Sequence, residues 1–293
     1  MVYQLIGNLE NTILGTQQAF EQIVTKSQNF NTDGFKSNRL VFSQMFEQEM
    51  NGVPRYSGRN RQVYRNKYSQ AGSTSVINLG LDFQQGSIKN LGADSPLSAA
   101  ITGASLFVVS EGNQRRLTRN SSWTFNQDGE LLDVAGRQVM GFRFNNGVLD
   151  RSQLVPIKID ISDPEQLDSG FEENGILNSN YQLRTNGVNA PKTPLFQLGL
   201  AVVPNNSGLE SINGTAFRVT RNSGQISDLG ISGESGFGTV TGSAVEQSTV
   251  DPATLSVEGV QLQRQFQILQ TGLTLISKAL DTLIQTTSKA SGT

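Results

Sequence analysis

Acidic side chains crowd one short stretch: Asp160, Asp163, Glu165, Asp168, Glu172 and Glu173 all lie between residues 160 and 173. Two carboxylates flanking a sugar bond are the machinery of glycoside hydrolysis, one acting as acid and the other as base or nucleophile. Nothing in the sequence sets a separation between any two of these acids, and Trp123 is the single indole that could stack on a sugar ring. A solvated acidic loop is the better reading of the run. NQDGEL (126–131) sets Asp128 and Glu130 around Gly129, but without the ordered ligand positions and flanking helices of a calcium loop, so it is expected to be a β-turn. The chain contains neither histidine nor cysteine. That removes thiolate zinc sites, disulfides and nearly all Ser-His-Asp or Cys-His catalysis. The glycine-rich SGESGFGTVTG (232–242) has no following Lys-Ser/Thr and is not a phosphate-binding loop. The expectation is a non-enzymatic chain with no catalytic residue, no cofactor and no metal.

A second charged stretch has the opposite sign. Residues 50–81 carry Arg55, Arg59, Arg61, Arg65 and Lys67 with Tyr56, Tyr64 and Tyr68 among them, and no acid. Basic residues interleaved with aromatics can grip single-stranded nucleic acid, but the formal net charge of -2 gives the whole chain no pull toward nucleic acid or anionic lipid. A contact with an acidic face of a neighbouring subunit, such as the 160–173 run, fits better. No stretch reaches the roughly 20 consecutive apolar residues needed to span a membrane, and MVYQLIGNLENTILG lacks the basic start and continuous apolar core of a cleavable signal.

The elements that would position these groups are legible from period and punctuation. Ile6, Leu9, Ile13, Thr16, Phe20 and Ile23 follow one another in steps of three and four, a heptad seam on a helix over 3–28. Leu262, Phe266, Leu269, Leu273, Ile276, Leu280 and Leu283 repeat the signal on a helix over 252–288, opened by Asp251 as cap and Pro252 in the first turn. At 1.5 Å per residue the two helices would be about 39 and 55 Å long. The flanks of both seams are Gln, Thr, Ser and Asn rather than the dense Glu and Lys of a free-standing coiled coil. Two helices resting on an ordinary core would satisfy this pattern. So would a helix pair with one face on its partner and the other on neighbouring subunits. Charged residues make up only 16% of the chain, against roughly 25% in typical globular domains. A polar but weakly charged surface is cheap to desolvate against copies of itself.

Between the helices the sequence turns to short β-like runs: SLFVVS (105–110), SSWTFN (121–126), RQVMGFRF (137–144), VPIKIDI (155–161), FQLGLAVV (196–203) and TAFRVTR (215–221). QDGE, NNG, ENG and NSG separate them as turns. The predicted fold is α+β: terminal helices pairing as a coiled coil (1–45 with 246–293), an extended contact segment (46–75), and an antiparallel β domain (76–245).

The elbow after the first helix, NFNTDGFK (29–36), resembles the N-terminal signature of the bacterial flagellar rod and hook proteins, with Asn29, Asn31, Thr32, Gly34, Phe35 and Lys36 matching. Three further blocks follow in order. Gln85, Gly86, Leu97, Ala100, Ile101, Gly103, Phe107 and Val109 fit the next. Thr118, Arg119, Phe125, Gly129, Leu131, Gly136 and Gly141 fit the third. Glu246, Ser248, Val250, Asp251, Gln263 and Arg264 fit the C-terminal signature, with Thr249 where the family has Asn. The resemblance implies a helical homopolymer forming a hollow tube, with the terminal helices as inner wall and the β domain outside. It implies export through the flagellar type III apparatus without a cleaved signal, and a place in the basal body that spans the periplasm. Its partners would be itself, other rod and hook subunits and basal-body ring proteins. The length, and a basic segment placed where distal rod proteins carry an extra stretch that touches neighbours, point to the distal rod, with the hook as the alternative. The expected self-assembly interface is Ile6, Leu9, Ile13, Phe20, Asn31, Thr32, Gly34 and Phe35 with Leu262, Phe266, Leu269, Leu273, Ile276 and Leu280.

Overall fold

The computed structural model describes residues 2–44 and 74–290. Most of the 46–75 contact segment, with Arg55, Arg59, Arg61 and Arg65, lies outside the described residues. The first helix runs Val2–Gln28 and the last Pro252–Ala290. The chain divides into two compact units. One takes in 1–24, 40–78 and 256–293, and the other 25–39 and 79–255. The elbow thus belongs with the β domain, not with the helix it terminates.

Among the described residues, thirteen strands form the main sheet of the β domain, and they pair antiparallel. Its path runs Gly170–Phe171, Ile176–Asn178, Pro194–Leu198, Gln138–Asn145, Leu106–Glu111, Gln114–Thr118, Ala216–Arg218 and Glu210–Ile212. The LFVV run explains the centre of this order. Phe107 and Val109 point into one apolar cluster with Trp123, Leu131, Phe171 and Leu177, while Leu106 and Val108 point into another with Leu117, Met140, Ala201 and Phe217. A strand buried on both faces needs no polar alternation. Two small antiparallel pairs complete the domain: Ala99–Thr102 with Thr239–Gly242, and Ile88–Asn90 with Ala244–Glu246. They bring the chain's last strand alongside its early residues.

Several expected strands are shorter or broken. SSWTFN contributes only Thr124–Phe125 to a ladder. Trp123 is buried instead, packed edge-on against Phe107 at 4.9 Å and Phe171 at 5.5 Å between ring centres. FQLGLAVV splits at Gly199, where a Cβ would stand 2.3 Å from a Leu154 methyl. Beyond Pro156, VPIKIDI is irregular, with Ile157 and Ile159 in the core and Lys158 bridged to Glu130. The NNG turn joins Gln138–Asn145 to Val148–Pro156 with Asn146 and Gly147 both at positive φ, the geometry that suits a tight hairpin.

Candidate functional site: a buried clasp at the elbow

The first helix ends where Asn29 turns back on it, its side-chain amide donating to the Thr25 carbonyl (2.8 Å). The Thr32 hydroxyl donates to Asn29 Oδ1 (3.1 Å), and the Phe35 amide to the Thr32 carbonyl (3.2 Å). Gly34 then sits at φ 69°, so close to the neighbouring chain that a Cβ would lie 2.4 Å from both the Arg119 carbonyl carbon and the Asn120 nitrogen. Asn120 holds the approach by donating to the Asp33 carbonyl (2.8 Å), and the Ser122 hydroxyl donates to Asp33 Oδ2 (3.2 Å). Phe35 is buried beneath this turn.

One carboxylate organises what lies behind it. Glu246 Oε1 accepts from Lys36 Nζ (2.6 Å) and from the Gly86 amide (2.8 Å), and Oε2 from Arg119 Nη1 (2.8 Å). The side chains of all three charged residues are at most 2% exposed. The Gly34 amide donates to the Glu246 carbonyl (2.6 Å), the Gln247 amide to the Ser87 carbonyl (2.8 Å), and the Thr249 amide to the Phe35 carbonyl (3.3 Å). Two cations share one anion, and backbone carbonyls supply the remaining acceptors: Gln84 for Lys36, and Ile101 and Gly103 for Arg119. Gln85 binds across the same region, donating to the Ile101 carbonyl (2.9 Å) and accepting from the Gly103 amide (3.0 Å). Burial pushes the Lys36 ammonium below its ordinary pKa, and Glu246 pulls against that push. Arg119 is lowered for the same reason and opposed by the same partner. A buried charge is tolerable only when paired and hydrogen-bonded; the knot draws its partners from several separate stretches of chain, and leaves the buried Arg119 Nε without a hydrogen-bond partner.

The acidic run does local work. Asp160 accepts from the Ser162 amide (2.9 Å). Asp163 caps the short helix Pro164–Leu167 through the Glu165 amide (3.0 Å). Asp168 takes the Gln182 and Leu183 amides (2.8 and 3.1 Å), and Glu172 is paired with Arg184 and Lys192. An open cleft of about 1030 Å³ bordered by Arg143, Asp150, Lys158 and Asp160 offers no indole, because Trp123 lies in the core. No group of three or more metal-ligating side chains occurs among the described residues.

On the first helix Leu9 and Ile13 are half-buried and Thr16 and Ala19 buried, whereas Phe20 is 45% exposed. The shielded stripe therefore steps from Thr16 to Ala19, and Phe20 turns outward beside Val24. The side chain of Ile6 is outside the description. On the last helix Leu262 is buried, and Phe266, Leu269, Leu273, Ile276 and Leu280 are half-buried. Val257, Val260, Ile268 and Leu275 form a second apolar stripe at spacings that place it on the other side, each about half exposed or more. Leu283 keeps the seven-residue spacing of the first seam from Ile276 but is exposed. A Leu9 methyl comes within 3.9 Å of where a Cβ at Gly272 would stand, so the two helices approach each other. Gly34 and Phe35, expected at the contact with neighbours, are closed inside their own chain, and Thr32 is half-buried. Asn31 is exposed.

The converging groups, Gly34 to Lys36, Gln85 and Gly86, Arg119 and Glu246, come from all four blocks of the resemblance. No protein-family model matches the chain. Similarity to known proteins nevertheless runs from end to end. The chain is 26% identical over 283 residues to the flagellar basal-body rod protein FlgG of Buchnera aphidicola subsp. Schizaphis graminum, covering 94% of this chain and 97% of that protein. It is 24% identical over 291 residues to FlgG of Bacillus subtilis, covering 97% of each. The chain is thus similar to flagellar rod proteins along nearly its whole length. The hook protein FlgE of Rhizobium meliloti is 27% identical over 148 residues, which cover 49% of this chain and 32% of the hook protein. Within the rod and hook family pattern, Lys36, Arg119 and Glu246 are the side chains that tie the terminal signatures to the β domain. Sequence reasoning named them as motif matches without seeing that they touch. Arg119 and Glu246 lie at strand ends, whereas Lys36 stands two residues after Gly34 and two before the next strand.

Proposed function

We propose that the chain is a structural subunit of the flagellar rod that polymerises helically in the basal body, transmitting torque and catalysing nothing. The carrying observation is coverage: the rod proteins match along nearly the whole of both chains, while the hook match is confined to part of each. The terminal helices are the polymerising element. Their shielded stripes, Leu9 and Ile13 on one and Leu262, Phe266, Leu269, Leu273, Ile276 and Leu280 on the other, pair as a coiled coil. The outward Phe20, Val24, Ile268 and Leu275 meet neighbouring copies. Isolated helices are marginal in water, so docking on a growing tube supplies the burial they lack alone. Ring proteins, other rod and hook subunits and the export apparatus are the further partners, and Arg55, Arg59, Arg61 and Arg65 are assigned to a contact between subunits. Electron microscopy of the purified chain should show straight tubes, and the gene should restore motility to a rod-defective strain. A chain that stays monomeric at high concentration would refute assembly. Rescue of a hook-defective strain instead would assign the chain to the hook.

A further inference from the structure

The knot around Glu246 joins segments that no local structure could hold together. Lys36 follows the first helix, and Glu246 precedes the last by only a few residues. Around it the Gly34 amide donates to the Glu246 carbonyl, the Gln247 amide to the Ser87 carbonyl and the Thr249 amide to the Phe35 carbonyl. The elbow itself has few alternatives, because Gly34 is wedged against Arg119 and Asn120, and Arg119 is held in place by the same carboxylate.

We propose that Glu246 is the positioning residue of the assembly unit. Through Lys36 and Arg119 it ties the elbow that ends the first helix to the strand that precedes the last. The proposal rests on the assembly reading only for its consequence, since the clasp itself is a property of the single chain. Two features make it a switch-like element rather than general packing. The carboxylate has three donors on its two oxygens, and its removal strands two buried cations that already exceed it in charge. The elbow, Gly86 and Glu246 lie outside the main sheet, Glu246 on a small two-stranded pair, and only Arg119, which follows the strand Gln114–Thr118, adjoins it. They should therefore open as one cooperative unit while the sheet stays closed.

Hydrogen exchange by mass spectrometry on the full chain tests this, with the Glu246→Gln, Lys36→Met and double variants. In Glu246→Gln the amides of Gly34, Gly86 and Gln247 should exchange faster together, by about 100-fold or more, while Val108 and Leu117 change little. Lys36→Met leaves Arg119 and Glu246 as a neutral pair and should loosen the same amides less. Adding Lys36→Met to Glu246→Gln removes one stranded cation and should slow exchange relative to Glu246→Gln alone. Purely structural loosening would not give that rescue. Independent changes at the three amides, or a double variant no slower than the single, would overturn the proposal. If Glu246→Gln does not fold, Lys36→Met and wild type still decide it, because unchanged protection at Gly34 on losing Lys36 would overturn it as well. Polymerisation separates the two readings. Coordinated loosening in a chain that never polymerises upholds the clasp and ends the assembly role. Tubes from Glu246→Gln with wild-type yield and length would end the positioning role.

Discussion

Replacing Gly34 by alanine probes the elbow where only a hydrogen fits. Two costs add there. At φ 69° an L side chain is strained, by about 1–2 kcal/mol. A methyl would also stand 2.4 Å from two backbone atoms, and backbone cannot swing aside as a side-chain tip can. Relief requires moving the elbow by about 1 Å, since ordinary carbon contacts begin near 3.5 Å. That motion pulls on the Gly34 amide bond to Glu246 and the Asn120 bond to Asp33. Leaving such buried groups without partners costs about 1–3 kcal/mol each. The total is about 3–8 kcal/mol, which lowers the melting temperature by about 6–32 °C for a domain of this size. Gly187→Ala is the matched control. Gly187 also has positive φ, 82°, but nothing stands within 4 Å of its missing Cβ, so only the strain of about 1–2 kcal/mol applies. Thermal unfolding followed by tryptophan fluorescence, with denaturant titration as a check, measures the difference. Equal losses in the two variants would refute the claim that close backbone approach builds the elbow.

Other outcomes follow from the helices and the core. Leu273→Asp puts a charge into the shielded stripe of the last helix and should abolish incorporation into tubes, leaving the β-domain transition unmoved; tubes of normal yield would remove that helix from the assembly role. Phe107→Ala should destabilise the β domain by about 3–5 kcal/mol in urea unfolding, because the ring is fully buried on the central strand. The Asp251 carboxyl is held below its usual range by the Thr254 hydroxyl first, then by the Thr254 and Ala253 amides. A depressed folded pKa stabilises above the unfolded value, near 3.8, and that support is lost as pH falls through the folded value. Far-ultraviolet circular dichroism should thus show the last helix fraying in acid, with a flatter response in Asp251→Asn, which can cap without titrating; identical acid profiles would refute the capping role.

Periodicity made the helices legible, because apolar side chains at steps of three and four admit few other structures. It could not decide between Ala19 and Phe20 as the shielded position, since both continue the count from Thr16 and only packing chooses. The doubly buried strand at 105–110 was readable as an unbroken apolar run. Gly199 was not readable as a strand break, and the side chain that crowds it, Leu154, lies 45 residues earlier. The clasp was least visible. Lys36, Arg119 and Glu246 are 127 and 210 residues from their partners along the chain, and a charged residue bound for the interior looks in sequence like one bound for water. The acidic run reads as a solvated loop rather than a catalytic site, and its acids cap turns and a short helix.

Trp123 offers a consequence of its own. It is the chain's single tryptophan, it lies in the core between Phe107 and Phe171, and neither terminal helix contains another. Its emission is therefore a built-in optical label for the β domain alone, while the helices dominate the far-ultraviolet signal. Reading both colours from one unlabelled sample would distinguish a subunit whose shaft-forming ends have melted from one that has come apart throughout.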